Sequence, residues 1–126
     1  QWRKLMESDL QAVFQEEQAL LTSFQETSGT GQFVSYPNLL LWGVTNGASF
    51  PLIRRFLKTE ILVNDEMSAI VETLWGNEGN MVKTAQDLYL HRNTLQYKLD
   101  KFYQRSGLNL KHLDDLALSY LLLLEK

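Results

Sequence analysis

The sequence contains no cysteine among its 126 residues. This excludes a disulfide framework and any metal site built on thiolates. The chain also has only two prolines, which suits a mostly helical protein because proline interrupts helix interiors. The leucine run from Leu121 to Leu124 is far too short to cross a bilayer, and no signal-peptide pattern opens the chain. We therefore expect a protein of the reducing cytoplasm with no contact to a membrane.

Hydrophobic residues make up 44% of the chain, an ordinary share for a folded globular protein. A length of 126 residues favours one domain, or one domain with a small appendage. The first residue is Gln1 rather than methionine, so we expect the chain to be a piece of a longer protein.

The net charge of −3 is unevenly distributed along the chain. Residues 80 to 112 contain six basic and two acidic residues, a balance of +4, which leaves −7 for the remainder. Such asymmetry is expected where one segment meets the phosphates of a nucleic acid. It is equally expected of a helix face that is only well solvated, so the charge alone leaves both interpretations open.

Hydrophobic residues recur at three- and four-residue steps, which predicts an all-α helical bundle. Caps and turn residues divide the chain into predicted helices at residues 2–26, 37–46, 51–62, 65–76, 81–89, 92–105 and 113–125. We expect one short strand near residues 33–36, since Pro37 disfavours helix at Tyr36. We place a domain boundary after residue 62, between an N-terminal helical and linker region (1–62) and a C-terminal domain (63–126).

The predicted last helix is apolar nearly all round, so it must be buried on more than one side. It is either a core helix alone or a core helix that also covers a partner subunit. The long first helix is the second candidate for a partner surface.

The stretch from Gly79 to Phe102 predicts two short helices joined by a tight turn. Asn80 is a natural N-cap for the first helix, and Gly107 is suited to end the second. A small residue, Ala85, falls where the two helices would touch, which is typical of a helix-turn-helix. His91 at the turn either caps the second helix or contacts phosphate, and the sequence leaves both roles open.

A helical wheel of residues 92–105 gathers Leu95, Leu99 and Phe102 on one buried side. The opposite side carries amides, a phenol and basic groups. In such motifs the N-terminal part of the second helix faces base edges in the major groove, and the first helix crosses the DNA backbone. Asn or Gln can pair with adenine there, and Arg or Lys with guanine. The candidate DNA-binding residues are Lys83, His91, Arg92, Asn93, Thr94, Gln96, Tyr97, Lys98 and Lys101.

The segment "GNMVKTAQDLYLHRNTLQYKLDKFYQRSGLNL", residues 79–110, resembles the C-terminal helix-turn-helix of the PucR/CdaR group of bacterial transcription regulators. That motif is related to the Fis-type DNA-binding helix pair. The similarity is densest in "HRNTLQYKL" and covers about residues 33–126. It implies that the C-terminal domain is a PucR-type helix-turn-helix domain, in which helix 81–89 supports and helix 92–105 reads the major groove.

Two positions depart from the family pattern. The family usually has arginine where this chain has Gln96, and often arginine where it has Lys98. Gln96 lacks a positive charge, which weakens the attraction to phosphate. Lys98 keeps its charge but lacks the bidentate fork of arginine.

We expect a sequence-specific DNA-binding output domain of a bacterial transcriptional regulator, acting as a homodimer on double-stranded DNA. The alternative is an oligomerisation or protein-interaction module with a vestigial helix-turn-helix. An enzyme is not expected, because the two histidines, His91 and His112, lie on different helices or turns and no catalytic constellation accompanies them. We expect no cofactor and no metal site, and we expect an effector ligand, if any, to bind an upstream domain outside this chain.

Overall fold

The computed structural model describes residues 7–28 and 34–125. Within these ranges the chain forms seven helices and no strand, which confirms the all-α class. The helices are α1 (Glu7–Ser28), α2 (Tyr36–Thr45), α3 (Pro51–Ile61), α4 (Asp65–Gly76), α5 (Met81–Asp87), α6 (Arg92–Ser106) and α7 (Leu113–Leu124). Residues 2–6 of the predicted first helix lie outside the described residues.

The predicted strand near residues 33–36 is wrong where the structure describes it. Tyr36 is already the first residue of α2, and residue 33 lies outside the described ranges. Ser35 has an extended backbone (φ −70°, ψ 154°), but its hydroxyl accepts the N–H of Asn38. The extended geometry therefore belongs to an N-cap, which starts a helix rather than joining a sheet.

Helix α7 lies in the middle of the bundle and packs against α2, α3 and α4. Its residues Leu116, Leu118 and Leu122 are buried, so the interpretation of the last helix as a core helix is confirmed. Leu113 and Leu124, at the two ends of α7, are exposed. A partner subunit at these ends stays a prediction.

Helix α1 packs against α2 and α3. A glycine in α2 allows this close approach, since a Cβ atom on Gly43 would lie 2.7 Å from the Phe50 ring and 3.0 Å from Leu20. Buried residues of α1, including Val13 and Leu20, belong to the same hydrophobic cluster as the core of α7. The cluster thus contains residues from both sides of the predicted boundary at residue 62, and that boundary stays a prediction.

The helix pair α5–α6 is attached to this bundle by helix packing. Helix α5 packs against α4, and α6 packs against α3. An ion pair of 3.0 Å between Arg105 Nε and Glu60 Oε2 reinforces the packing of α6 against α3. None of the helices in the described part of the chain is both long and apolar enough to span a bilayer.

Candidate nucleic-acid interface

Helix α5 is fixed at both ends by side-chain hydrogen bonds. The Asn80 Oδ1 atom accepts the N–H of Lys83 at 3.0 Å, which confirms the predicted N-cap. At the end of α4, the Asn77 amide donates to Thr84 Oγ1 at 3.2 Å and to Asp87 Oδ2 at 3.0 Å. Thr84 is fully buried, so the bond from Asn77 fixes the position of α5 relative to the end of α4.

The turn between the two helices ends α5 two residues earlier than predicted. The Leu90 N–H donates to Ala85 O at 2.9 Å and the Tyr89 N–H donates to Gln86 O at 3.1 Å, the two bonds of a Schellman motif. This motif needs a left-handed residue, and Tyr89 takes that conformation with φ 56°. The Tyr89 side chain is 96% exposed.

His91 is the N-cap of α6. Its Nδ1 atom accepts the N–H of Asn93 at 3.2 Å. Because Nδ1 acts as acceptor, the neutral imidazole that forms this cap carries its hydrogen on Nε2. The cap uses one ring nitrogen and leaves the other as a donor, so the predicted phosphate contact is compatible with it and stays a prediction.

The buried side of α6 is the one predicted from the wheel. Leu95, Leu99 and Phe102 are at most 2% exposed. At the end of the helix, the Ser106 hydroxyl donates to Phe102 O at 2.7 Å, and Gly107 adopts a left-handed backbone with φ 80°. Together these residues fix the rotation of α6 about its axis. The outer face of α6, opposite this core, consists of Asn93, Thr94, Tyr97, Asp100, Lys101 and Gln104, all exposed.

The N-terminal turn of α6 presents polar side chains to solvent. Arg92, Asn93 and Thr94 are exposed, and they form no side-chain hydrogen bond or ion pair within residues 7–28 and 34–125. A cleft of about 360 Å³ separates the start of α5 from the start of α6; it is lined by Asn80, Met81, Val82, Arg92, Asn93 and Gln96. Lys83, which follows Val82 on α5, is exposed as well.

Further along α6, two local pairs form between residues one turn apart. Lys101 Nζ lies 5.5 Å from the centroid of the Tyr97 ring, a cation–π geometry, and Tyr97 is 61% exposed. Gln96 Nε2 donates to Asp100 Oδ1 at 2.8 Å. The amide at the position where the family resemblance implies arginine is therefore held by a carboxylate of the same helix.

Lys98 differs from the other candidate residues because it is paired across helices. Its Nζ atom lies 2.8 Å from Glu66 Oε1 in the first turn of α4. Arg105 is likewise paired with Glu60 of α3. These acidic partners were not expected from the sequence. Both pairings join residues more than thirty positions apart, so they become visible only once α3 and α4 are packed against α6.

One cluster in the described part of the chain has the composition of a metal site. Possible ligand atoms of His112, Asp114 and Asp115 lie within 4.8 Å of one another. However, Asp115 Oδ2 accepts the N–H of Asn109 at 2.6 Å, and Asp114 Oδ1 accepts the N–H of Asp115 at 2.9 Å. These bonds hold the turn before α7 against the first turn of the helix, so we assign no ion to the cluster.

Burial raises the pKa of Asp115 to about 6, against the lowering effect of the Asn109 N–H. The adjoining Asp114 carboxyl raises this pKa further, and His112 lowers it. Asp115 lies in the first turn of α7, where the helix dipole favours negative charge.

Comparison with known proteins places the helix pair in a family. Residues 68–124 match the PucR C-terminal helix-turn-helix domain, so this part of the chain is a PucR-type C-terminal helix-turn-helix region. The family indicates a DNA-binding regulatory domain of a generally non-enzymatic class. Both α5 and α6 lie inside the matched range.

Three curated proteins are similar to the chain. A "Leucine-rich protein" of Streptococcus dysgalactiae subsp. equisimilis is 43% identical over 124 residues, which is 98% of this chain and 44% of that protein. Two Bacillus subtilis (strain 168) proteins are named as uncharacterized. YxkF is 38% identical over 60 residues (48% of this chain, 20% of YxkF), and YsfB is 31% identical over 62 residues (49% and 17%). The chain therefore spans less than half the length of each relative. No solved structure matches the chain.

Proposed function

We propose that this chain is the sequence-specific DNA-binding output region of a bacterial transcriptional regulator, with α6 in the major groove and α5 supporting it. One observation carries the proposal. The first turn of α6 presents Arg92, Asn93 and Thr94 to solvent without intramolecular partners among the described residues, while Leu95 and Leu99 anchor the same helix in the core. Exposed polar groups on a rigidly held helix are what base recognition requires.

The chemistry of these side chains suggests how each would act. Arg92 offers a bidentate donor pair suited to guanine, and the Asn93 amide matches the donor and acceptor of adenine. Lys83 on α5 and Lys101 on α6 are exposed cations suited to phosphate. Tyr97 is exposed beside Lys101, so its hydroxyl can meet phosphate or a base edge.

We further propose that the protein binds DNA as a homodimer, because helix-turn-helix modules of this kind read paired half-sites. Leu10 and Phe14 support this proposal: they lie one turn apart on α1 and are both exposed. Sedimentation velocity tests it directly. If the parent protein is a dimer and Phe14→Ser converts it to a monomer, α1 is supported as the interface. If the Phe14→Ser variant remains a dimer, the interface lies elsewhere. A monomeric parent protein would contradict the proposal.

The alternative, a protein-interaction module with a vestigial helix-turn-helix, is favoured by a different observation. Two of the basic residues of α6, Lys98 and Arg105, are neutralised by acids of the same chain. This lowers the positive charge available to phosphate.

Fluorescence anisotropy with a labelled random-sequence duplex separates the two functions. The DNA-binding proposal predicts binding at low salt that weakens steeply as salt rises. Repeated selection should then enrich a preferred sequence, and Asn93→Ala should lose this preference while still binding the random pool. No binding at low salt would contradict the proposal and favour the interaction module.

We place this activity in the cytoplasm, where the DNA is. An effector ligand, if one acts, would bind a domain upstream of this chain.

A further inference from the structure

A groove between α4 and α6 brings acidic and basic side chains together beside the outer face of α6. It has a volume of about 180 Å³. Lys98, Lys101 and Arg105, spaced at three and four residues along α6, line one wall together with Tyr97. Glu66, in the first turn of α4, lines the opposite wall, and its carboxylate lies 2.8 Å from the Lys98 ammonium.

This ion pair is accessible to solvent. The Glu66 side chain is 51% exposed and the Lys98 side chain is 29% exposed. Pairs with this degree of exposure are weak, because water and salt screen them. The groove also opens beside Lys101 and Tyr97 of the outer face, so a phosphate bound along that face would come close to Lys98.

We infer that Glu66 competes with DNA phosphate for Lys98 and thereby limits the affinity of this chain for DNA. The inference rests on the proposed DNA-binding function. While Glu66 neutralises Lys98, that lysine attracts no phosphate and contributes no counterion release on binding. A phosphate must displace the carboxylate, or the complex must form without this contact.

The competition has a measurable consequence for the salt dependence of binding. Each phosphate neutralised on duplex DNA adds about 0.9 to the magnitude of the slope of log K against log salt. Removing the Glu66 charge releases Lys98 for one such contact. Glu66→Gln should therefore steepen the slope by about 0.9 and tighten binding about eightfold at 0.1 M salt.

Fluorescence anisotropy with the full chain and the same random duplex, at four or more salt concentrations, provides the test. Glu66→Ala should reproduce the effect of Glu66→Gln, since alanine offers Lys98 no acceptor at all. Circular dichroism and thermal melting confirm that the variants remain folded. Glu72→Gln is the matched control, because it removes an exposed acid from the same helix at a site away from the groove.

A double-mutant cycle separates competition from general repulsion of DNA by the acid. In a Lys98→Ala background, Glu66→Gln should leave both the affinity and the slope nearly unchanged. An equal gain in that background, or an equal gain from Glu72→Gln, would overturn the inference. A parent chain that binds DNA with no change in Glu66→Gln would overturn this inference alone. No binding by either protein would overturn the proposed function as well.

Discussion

Glu16 and Ile53 are joined by a hydrogen bond of 2.8 Å from the Ile53 backbone N–H to Glu16 Oε1, across 37 positions of sequence. The second oxygen of the same carboxylate accepts the N–H of Leu52 at 2.9 Å. The residue at the N-cap of α3, Phe50, provides no side-chain cap of its own. A carboxylate from α1 therefore satisfies the first amides of α3, where the helix dipole also favours negative charge.

Glu16→Ala should destabilise the protein by about 2 kcal/mol, because two N–H groups at a partly buried helix end lose a charged acceptor. Urea unfolding followed by circular dichroism measures the loss. Glu16→Gln keeps one acceptor oxygen and should lose less. Glu26→Ala, an exposed acid on the same helix, is the control and should change stability by less than about 0.5 kcal/mol. A similar loss in both alanine variants would contradict the capping role.

Tyr89→Gly should stabilise the protein by about 1 kcal/mol. Tyr89 occupies the left-handed position of a Schellman motif, where a Cβ atom clashes with the following carbonyl and glycine does not. Its side chain is almost fully exposed, so removing it costs little packing. Thermal melting of Tyr89→Gly and Tyr89→Ala provides the comparison. Alanine retains the Cβ atom, so an equal gain in both variants would show that backbone strain is not the cause.

Asp115 should make stability fall as pH rises from about 4 to about 6. Its folded-state pKa is raised to about 6, above that of an unfolded aspartate, so the folded state binds more protons in this window. The contribution of the group is complete at low pH and lost as pH passes through about 6. Asparagine at position 115 cannot ionise. The free energy of unfolding of Asp115→Asn, relative to that of the parent, should therefore rise from pH 4 to pH 7 by on the order of 2 kcal/mol.

Urea unfolding at a series of pH values measures this difference. Asp114→Asn is the matched control, since it removes only the neighbouring charge that helps to raise the pKa of Asp115. It should move the transition of Asp115 to lower pH without abolishing it. A stability difference between Asp115→Asn and the parent that is the same at pH 4 and pH 7 would contradict the raised pKa.

Much of this structure could be predicted because it depends on neighbours in sequence. Leu95, Leu99 and Phe102 recur with the period of an α-helix and form one apolar face, which must be buried against other helices. The caps at Asn64 and Asn80 follow from side chains that bond an amide three residues later. Such features require only local geometry, so the two helices of the pair and the buried side of α6 were predictable from the sequence.

Other features depend on how distant helices pack, and no local pattern reveals them. The Lys98–Glu66 pair forms because α4 lies beside α6. The helical wheel shows only α6 and therefore gave no sign that the Lys98 ammonium is paired. The strand predicted near residue 35 failed for a related reason. An extended residue can belong to a sheet or to a helix cap, and the hydrogen bond from Asn38 to Ser35 decides for the cap. The left-handed Tyr89 was unexpected because glycine is the usual residue there.

Gln96→Arg should strengthen DNA binding, because it places a positive charge beside the first turn of the proposed reading helix. The gain should be limited by Asp100, whose carboxylate now accepts a hydrogen bond from Gln96 at 2.8 Å and would pair with an arginine one turn away. We therefore expect the slope of log K against log salt to steepen by less than 0.9 in the single variant. Anisotropy with the random duplex measures both the affinity and the slope.

The double variant Gln96→Arg with Asp100→Asn should release the full effect, a slope steeper than that of Asp100→Asn alone by about 0.9. Gln104→Arg, which adds the same charge on the outer face about two turns further along α6, separates position from net charge. If the N-terminal half of α6 enters the major groove, the arginine at 96 should bring the larger gain in affinity, because the groove brings phosphates and bases closest there. Equal gains at 96 and 104 would mean that DNA is attracted to the whole helix without the proposed orientation.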